Sequence, residues 1–139
     1  MPQKITHGVK QMLEKAEAEI ETLAAKEAVA LRGRADTVLV DLRDPRERER
    51  EGVIPGAFSC TRGMLEFWID PESPYHKPVF ADDKRFVFFC AGGMRSALAA
   101  QTAKQMGLQP VAHIEGGFKA WREAGGPVEK LQPKPAKTG

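Results

Sequence analysis

Two apolar runs dominate the chain, TVLVDL (37–42) and RFVFFC (85–90), both nearly continuous and rich in β-branched or aromatic residues. Such runs predict strands buried on both faces rather than the alternation of a half-exposed strand. Val9, Met12, Leu13 and Ala16 recur at helical spacing over 6–18, with Lys10, Glu14, Lys15 and Glu17 on the outer side. IETL (20–23) predicts a short first strand, and AAKEAVALR (24–32) a helix broken by GRADT. DPRERERE (44–51) reads as a charged helix with Asp44 as N-cap and Pro45 in its first turn. A turn then leads to a strand at 57–60. After the second apolar run, 94–106 predicts a helix stopped by Gly107, PVAHIEG (110–116) a last strand and GFKAWREAG a last helix. Residues 61–84 form a long irregular connection with one short helix at 63–69, and LQPKPAKTG reads as a disordered tail. No internal repeat is present.

Strands alternating with helices predict an α/β fold, a mostly parallel central sheet with helices on both faces. Ligands of such sheets bind beyond the carboxyl ends of the strands, and Cys90 stands at such an end. A chain of 139 residues forms one domain with a real core. The formal charge of +2, spread among mixed signs, argues against nucleic acid or membrane as a partner. No apolar run approaches the ~20 residues of a membrane span, and the N-terminus lacks the apolar core of a signal peptide. Two cysteines make no disulfide framework, so a cytoplasmic setting is expected. His7 and His113 show no metal-ligand spacing.

The chemistry concentrates in FFCAGGMRSALAA (88–100). A cysteine acts as a nucleophile through its thiolate. Two features here favour that form: the start of a helix near Met94, with unpaired N–H groups and the positive dipole end, and the charge of Arg95 in its first turn. Gly92 and Gly93 allow successive N–H groups to turn inward as an anion cradle. The pattern predicts a nucleophilic Cys90 and an anionic substrate or intermediate. No general base is evident. The alternative is a buried cysteine at a strand end.

CAGGMRSALAAQTAKQMG resembles the active-site loop and following helix of the rhodanese (sulfurtransferase) domain, with Cys90, Gly93, Arg95 and Ser96 on the matching positions. VLVDLRDPRERE is similar to that family's Asp-x-Arg segment at Asp41, Arg43 and Glu47. GVIPGA resembles its Ile-Pro-Gly-Ala turn, and IEGGFKAWREAGGPV its closing signature at Gly116, Gly117, Trp121, Gly125 and Pro127. The resemblance covers about 20–128. It implies a rhodanese-like domain at 19–129, with 1–18 as an N-terminal helical extension and 130–139 as a disordered tail.

The resemblance also implies an activity. Cys90 would take the outer sulfur of a small anionic donor such as thiosulfate as a persulfide and pass it to cyanide or a thiol. Backbone groups of Ala91, Gly92, Gly93, Met94, Arg95 and Ser96 would hold the anion, with no metal or organic cofactor. Asp41 and Arg43 would organise the site, the alternative being a surface ion pair. Arg62 is either an aid to anion binding or a solvated arginine. A relay between protein sulfur donors and acceptors is the competing reading. An inactive interaction domain is disfavoured by the cysteine itself. Cysteine-dependent phosphatases place five residues between cysteine and arginine, whereas four separate Cys90 from Arg95, which favours sulfur over phosphoryl transfer.

The sequence departs from the family at Val53, which replaces a usual histidine, and in the absence of any cation between Cys90 and Arg95, so the donor stays open. Cys60 reads as a small core residue, or else as a resolving thiol. Trp68, Tyr75 and His76 belong either to a lid over the cysteine or to a packed excursion. Trp121 reads as core, Met94 as loop wall, and Met12 and Met106 as helix-face filler.

Overall fold

The apolar runs become neighbouring strands at the centre of the sheet. The computed structural model describes residues 2–132. Its elements are α1 (Val9–Glu19), β1 (Glu21–Leu23), α2 (Ala25–Leu31), β2 (Thr37–Asp41), α3 (Pro45–Glu51), β3 (Phe58–Ser59), α4 (Leu65–Ile69), β4 (Arg85–Phe89), α5 (Met94–Met106), β5 (Val111–Ile114) and α6 (Gly117–Glu123). The sheet runs β1-β5-β4-β2-β3, and every pairing is parallel. Asp41 pairs with Phe89, which brings the carboxyl ends of β2 and β4 level.

Period-two alternation divides the core. Phe86, Phe88 and Cys90 face one side with Val40, Leu65 and the alanines of α5. Val87 and Phe89 face the other with Ala28, Phe118 and Trp121. Helices α4 and α5 therefore cover one face and α2 and α6 the other, while α1 lies on α5. Ala97, Ala99, Ala100 and Ala103 are all buried, and side chains this small let α5 approach the sheet closely. The predicted α/β fold is the one observed.

Local chemistry explains the boundaries. Asp44 caps α3 as expected: its carboxylate accepts from Glu47 N at 3.0 Å, and Glu47 Oε1 accepts from Asp44 N at 3.2 Å. Helix α1 begins three residues later than the periodicity predicts. Gly8 stands as an extended N-cap, and its N–H is taken by the Gln11 side chain at 2.7 Å. The last strand is shorter than 110–116, because the chain turns at Gly116 with φ +73°. Of the predicted tail, residues 133–139 lie outside the described residues.

The connection 61–84 carries more structure than its sequence suggests. A 3-10 turn, Arg62–Met64, precedes α4, and a second follows at Pro78–Ala81. Edge contacts of Phe58 with Trp68 and Phe80 pin the segment down, as does stacking of Phe80 on Phe86. Trp68 O accepts from Lys77 N and lies 2.9 Å from His76 Nδ1. Of the two readings, the packed excursion is what these contacts describe; Tyr75 stays exposed.

No described helix is long and apolar enough to cross a membrane. Among the described residues, no group of three or more His, Cys, Asp or Glu side chains is placed to hold a metal ion.

Trp121 locks the last helix. It is fully buried, its Nε1 donates to Pro127 O at 2.9 Å, and Gly126 lies so close that a Cβ there would sit 2.4 Å from the ring nitrogen. Trp121→Ala is expected to lower unfolding free energy by about 3–5 kcal/mol, measured by urea titration.

Candidate active site

Strand β4 delivers Cys90 to the carboxyl edge of the sheet, and Gly93 then turns the chain into α5. Gly93 has φ +105°, and a Cβ there would lie 3.3 Å from Gly116 N. Its N–H points back at the cysteine and donates to Sγ at 3.1 Å. The N–H groups of Met94, Arg95 and Ser96, in the first turn of α5, have no intrahelical acceptor. Cys90 is 1% exposed, so its sulfur lies beneath the bowl that the loop 91–96 forms. Met94 is exposed at the wall.

The bowl is braced from beneath by α6. Phe118 N donates to Cys90 O at 2.7 Å and Lys119 N to Ala91 O at 3.2 Å. Gly117, with φ +59°, makes this approach possible: a Cβ at that position would stand 2.3 Å from Cys90 O and 2.8 Å from Ala91 O. The paired glycines of the closing segment are therefore part of the cysteine site.

The arginines behave differently from the sequence expectation. Arg95 does not offer a free charge to the thiolate; its fork donates to both carboxylate oxygens of Glu47, at 2.7 and 2.8 Å. That pairing lowers Glu47 to about 2 from an ordinary 4.5 and raises Arg95 further. Asp41 and Arg43 are a buried pair, not a surface one. Arg43 donates to the two Asp41 oxygens at 3.0 and 2.8 Å and to Gly52 O at 2.9 Å, with its guanidinium 3.9 Å over the Phe118 ring. It steadies the residue whose N–H holds Cys90. Arg62 donates to the Glu66 carboxylate at 2.8 Å and to Thr102 Oγ1 at 3.4 Å.

Cys60 is fully buried, and burial pushes its thiol up to about 12. It packs in the core with Val40, Leu65 and Phe80, as the small core residue of the first reading would. Val53, at the position of the family's histidine, is buried and exchanges two backbone hydrogen bonds with Glu129.

Two further side chains complete the site. Ser96 is fully buried; its Oγ donates to Gly93 O at 3.2 Å and lies 3.7 Å from Cys90 Sγ. On its other side stands His113, with Nδ1 at 3.0 Å. Sequence spacing gives His113 no metal-ligand role, and the sequence shows no general base beside Cys90. The signal for His113 was a polar residue inside an apolar strand, on the same face as Val111 and opposite Ala112 and Ile114.

A cleft of about 550 Å³ borders the loop at Ala91 and Gly92, walled by Arg43, Glu47, Phe118 and Lys119. Another, of about 440 Å³, opens by Gly33, Thr37 and Lys84 at the amino ends of the strands, away from this chemistry.

Gly117→Ala is expected to cost about 2 kcal/mol or more and to slow alkylation of Cys90, because the cysteine carbonyl must move. Glu47 has its carboxyl depressed by Arg95, so its contribution is complete above its ordinary 4.5 and is lost as pH falls toward 2. Glu47→Gln should therefore unfold at lower urea near neutral pH, with a shallower loss of stability between pH about 5 and about 2 than the unchanged protein shows.

Comparison with known proteins agrees with this architecture. A protein of unknown function from Rhodopseudomonas palustris, described as a possible tyrosine phosphatase, is 69% identical, with a TM-score of 0.91 over 93% of this chain and 99% of its own. The thiosulfate sulfurtransferase of Pseudomonas aeruginosa is 30% identical, with a TM-score of 0.73 over 89% of this chain and 23% of its own. An uncharacterized protein of Synechocystis is 33% identical over 114 residues, or 82% of this chain and 59% of its own length. The chain thus spans about three-fifths of that relative. The model of the rhodanese-like domain matches residues 24–124, from the helix after the first strand through the glycines that brace the cysteine. By that match and by its cysteine loop, the chain belongs to the rhodanese-like domain family.

Proposed function

We propose that the protein is a sulfurtransferase in which Cys90 carries the sulfur. The observation that carries this reading is the sulfur at the floor of a short glycine loop, with a backbone N–H donating to it at 3.1 Å. The Cys90 thiolate attacks the outer sulfur of a donor such as thiosulfate. The sulfur–sulfur bond of the donor breaks, sulfite leaves with the electron pair, and Cys90 becomes a persulfide. Cyanide or a thiolate then attacks the terminal sulfur, and the Cys90 thiolate is released. The reaction is covalent and ping-pong, and its charges balance without a redox partner. Ala91 to Ser96 supply the backbone around the persulfide anion. The free cysteines fit a reducing, cytoplasmic setting.

A buried sulfur under a loop with no cation between Cys90 and Arg95 suits a donor that brings its sulfur on a slender arm. It serves a small molecule or the persulfide of a partner protein equally, and the acceptor can likewise be a protein thiol. The phosphatase description of the Rhodopseudomonas palustris relative supports a second reading. Against it stand the four-residue spacing and the engagement of the Arg95 fork by Glu47, which removes the bidentate clamp a phosphate ester needs.

The test is turnover on both substrate classes. Thiosulfate with cyanide should give thiocyanate, Cys90→Ser should abolish it, and Cys60→Ser should retain it. Aryl phosphate hydrolysis that depends on Cys90, with no thiocyanate formed, would replace this reading with the phosphatase.

A further inference from the structure

We infer that His113 is a positioning residue for the cysteine: its Nδ1–H donates to Ser96 Oγ and so turns the Ser96 hydroxyl proton toward Cys90 Sγ. The inference deepens the proposed function and rests on Cys90 as the nucleophile. Its basis is a chain of buried groups. Cys90 Sγ, Ser96 Oγ and His113 Nδ1 follow one another at 3.7 and 3.0 Å, and none of the three residues is more than 2% exposed. Strand parity sets up the juxtaposition. His113 is in register with Phe88 on β4, Cys90 lies two residues beyond Phe88 on the same face, and α5 lays Ser96 across that face.

The proton arithmetic selects the tautomer. Ser96 Oγ has one proton and three neighbours: Gly93 O, His113 Nδ1 and Cys90 Sγ. In the thiol state the cysteine S–H donates to Ser96 Oγ, and the serine proton rests on Gly93 O. When the thiol proton passes to water, the sulfur becomes an acceptor and draws the serine hydroxyl. That rotation leaves a lone pair of Oγ facing Nδ1 at 3.0 Å. The contact is attractive only if Nδ1 bears the hydrogen. The same tautomer leaves Nε2, which is buried without a partner, as a bare acceptor instead of an orphaned N–H. Buried unpaired donors are the rarer and costlier defect.

His113 must also be neutral. The charged groups near it are Glu17 of α1 and Glu115 just past β5, which favour the imidazolium; burial outweighs them and lowers its pKa. The positions in register on β1 and β4, Thr22 and Phe88, carry no charge, and on α5 it meets Ser96. On the sulfur side stands the Arg95 guanidinium, close enough to Cys90 to interact with it and paired with Glu47.

The pH profile of Cys90 alkylation by iodoacetamide and the nitrogen NMR shifts of the His113 ring test this without reference to turnover. His113→Phe, which removes the donor, should move the alkylation midpoint up by about one pH unit, or about tenfold in rate below it. His113→Asn, which offers an amide N–H where Nδ1–H stood, should restore most of the loss. His113→Phe should add nothing in a Ser96→Ala background. The ring of the unchanged protein should show Nδ1 protonated and Nε2 bare at neutral pH. An unchanged profile in a folded His113→Phe variant, an additive effect beside Ser96→Ala, or a ring protonated at Nε2 alone would overturn the inference. If sulfur transfer fails while these results hold, the proposed function falls and the positioning role stands.

Discussion

The cysteine loop is held by a backbone contact that tolerates no side chain. Phe118 N meets the carbonyl of Cys90 at 2.7 Å, and the residue before it, Gly117, has no room for even a methyl group. The contact fixes the direction of the peptide that leaves β4. That direction puts the Cys90 side chain on the α5 side of the sheet, under the Gly93 N–H, and lets α5 begin where its first-turn donors border the bowl. The rest of the site is arranged to keep this contact in place. Arg43, neutralised by Asp41, lies flat on the Phe118 ring, and Trp121 anchors the far end of α6 through Pro127.

Charge is handled economically around the sulfur. Arg95 and Arg43 each have a carboxylate in bidentate contact. The buried Asp41–Arg43 pair contributes geometry more than net stability, since desolvation offsets most of its attraction. At the sulfur itself the backbone offers an anion the Gly93 N–H and the first turn of α5, whose partial charge is fixed in direction and needs no rearrangement, while Lys119 stands in the wall of the neighbouring cleft. A loop of neutral residues between Cys90 and Arg95 agrees with that division of labour.

Much of this was readable from the chain because the signals were local. The central strands announce themselves as unbroken apolar runs, and Asp44 with Glu47 forms a capping box within four consecutive residues. Gly107 stops α5 where the alanines end. The partners of Arg95 and Arg62 were not readable, since a guanidinium reaches whichever carboxylate folding brings near, and Glu47 lies 48 residues from Arg95. For Arg62 the carboxylate is local, Glu66 four residues on, but the pairing needs the helical turn at 62–69, which the irregular composition of 61–84 obscures. His113 falls between these cases. Its burial and its face follow from alternation along β5, but its link to Cys90 needs the register of β5 on β4 and the placement of Ser96. The connection 61–84 looked irregular because its order comes from aromatic contacts across the fold rather than from periodicity.

The central claim is that Cys90 receives and carries a sulfur atom. Intact mass of the reduced protein, before and after thiosulfate under non-reducing conditions and followed by peptide mapping, tests it most directly. A gain of one sulfur on the peptide holding Cys90, removed by cyanide, is the expected result. Sulfur found on Cys60, or no gain from thiosulfate, mercaptopyruvate or a protein persulfide, would contradict it.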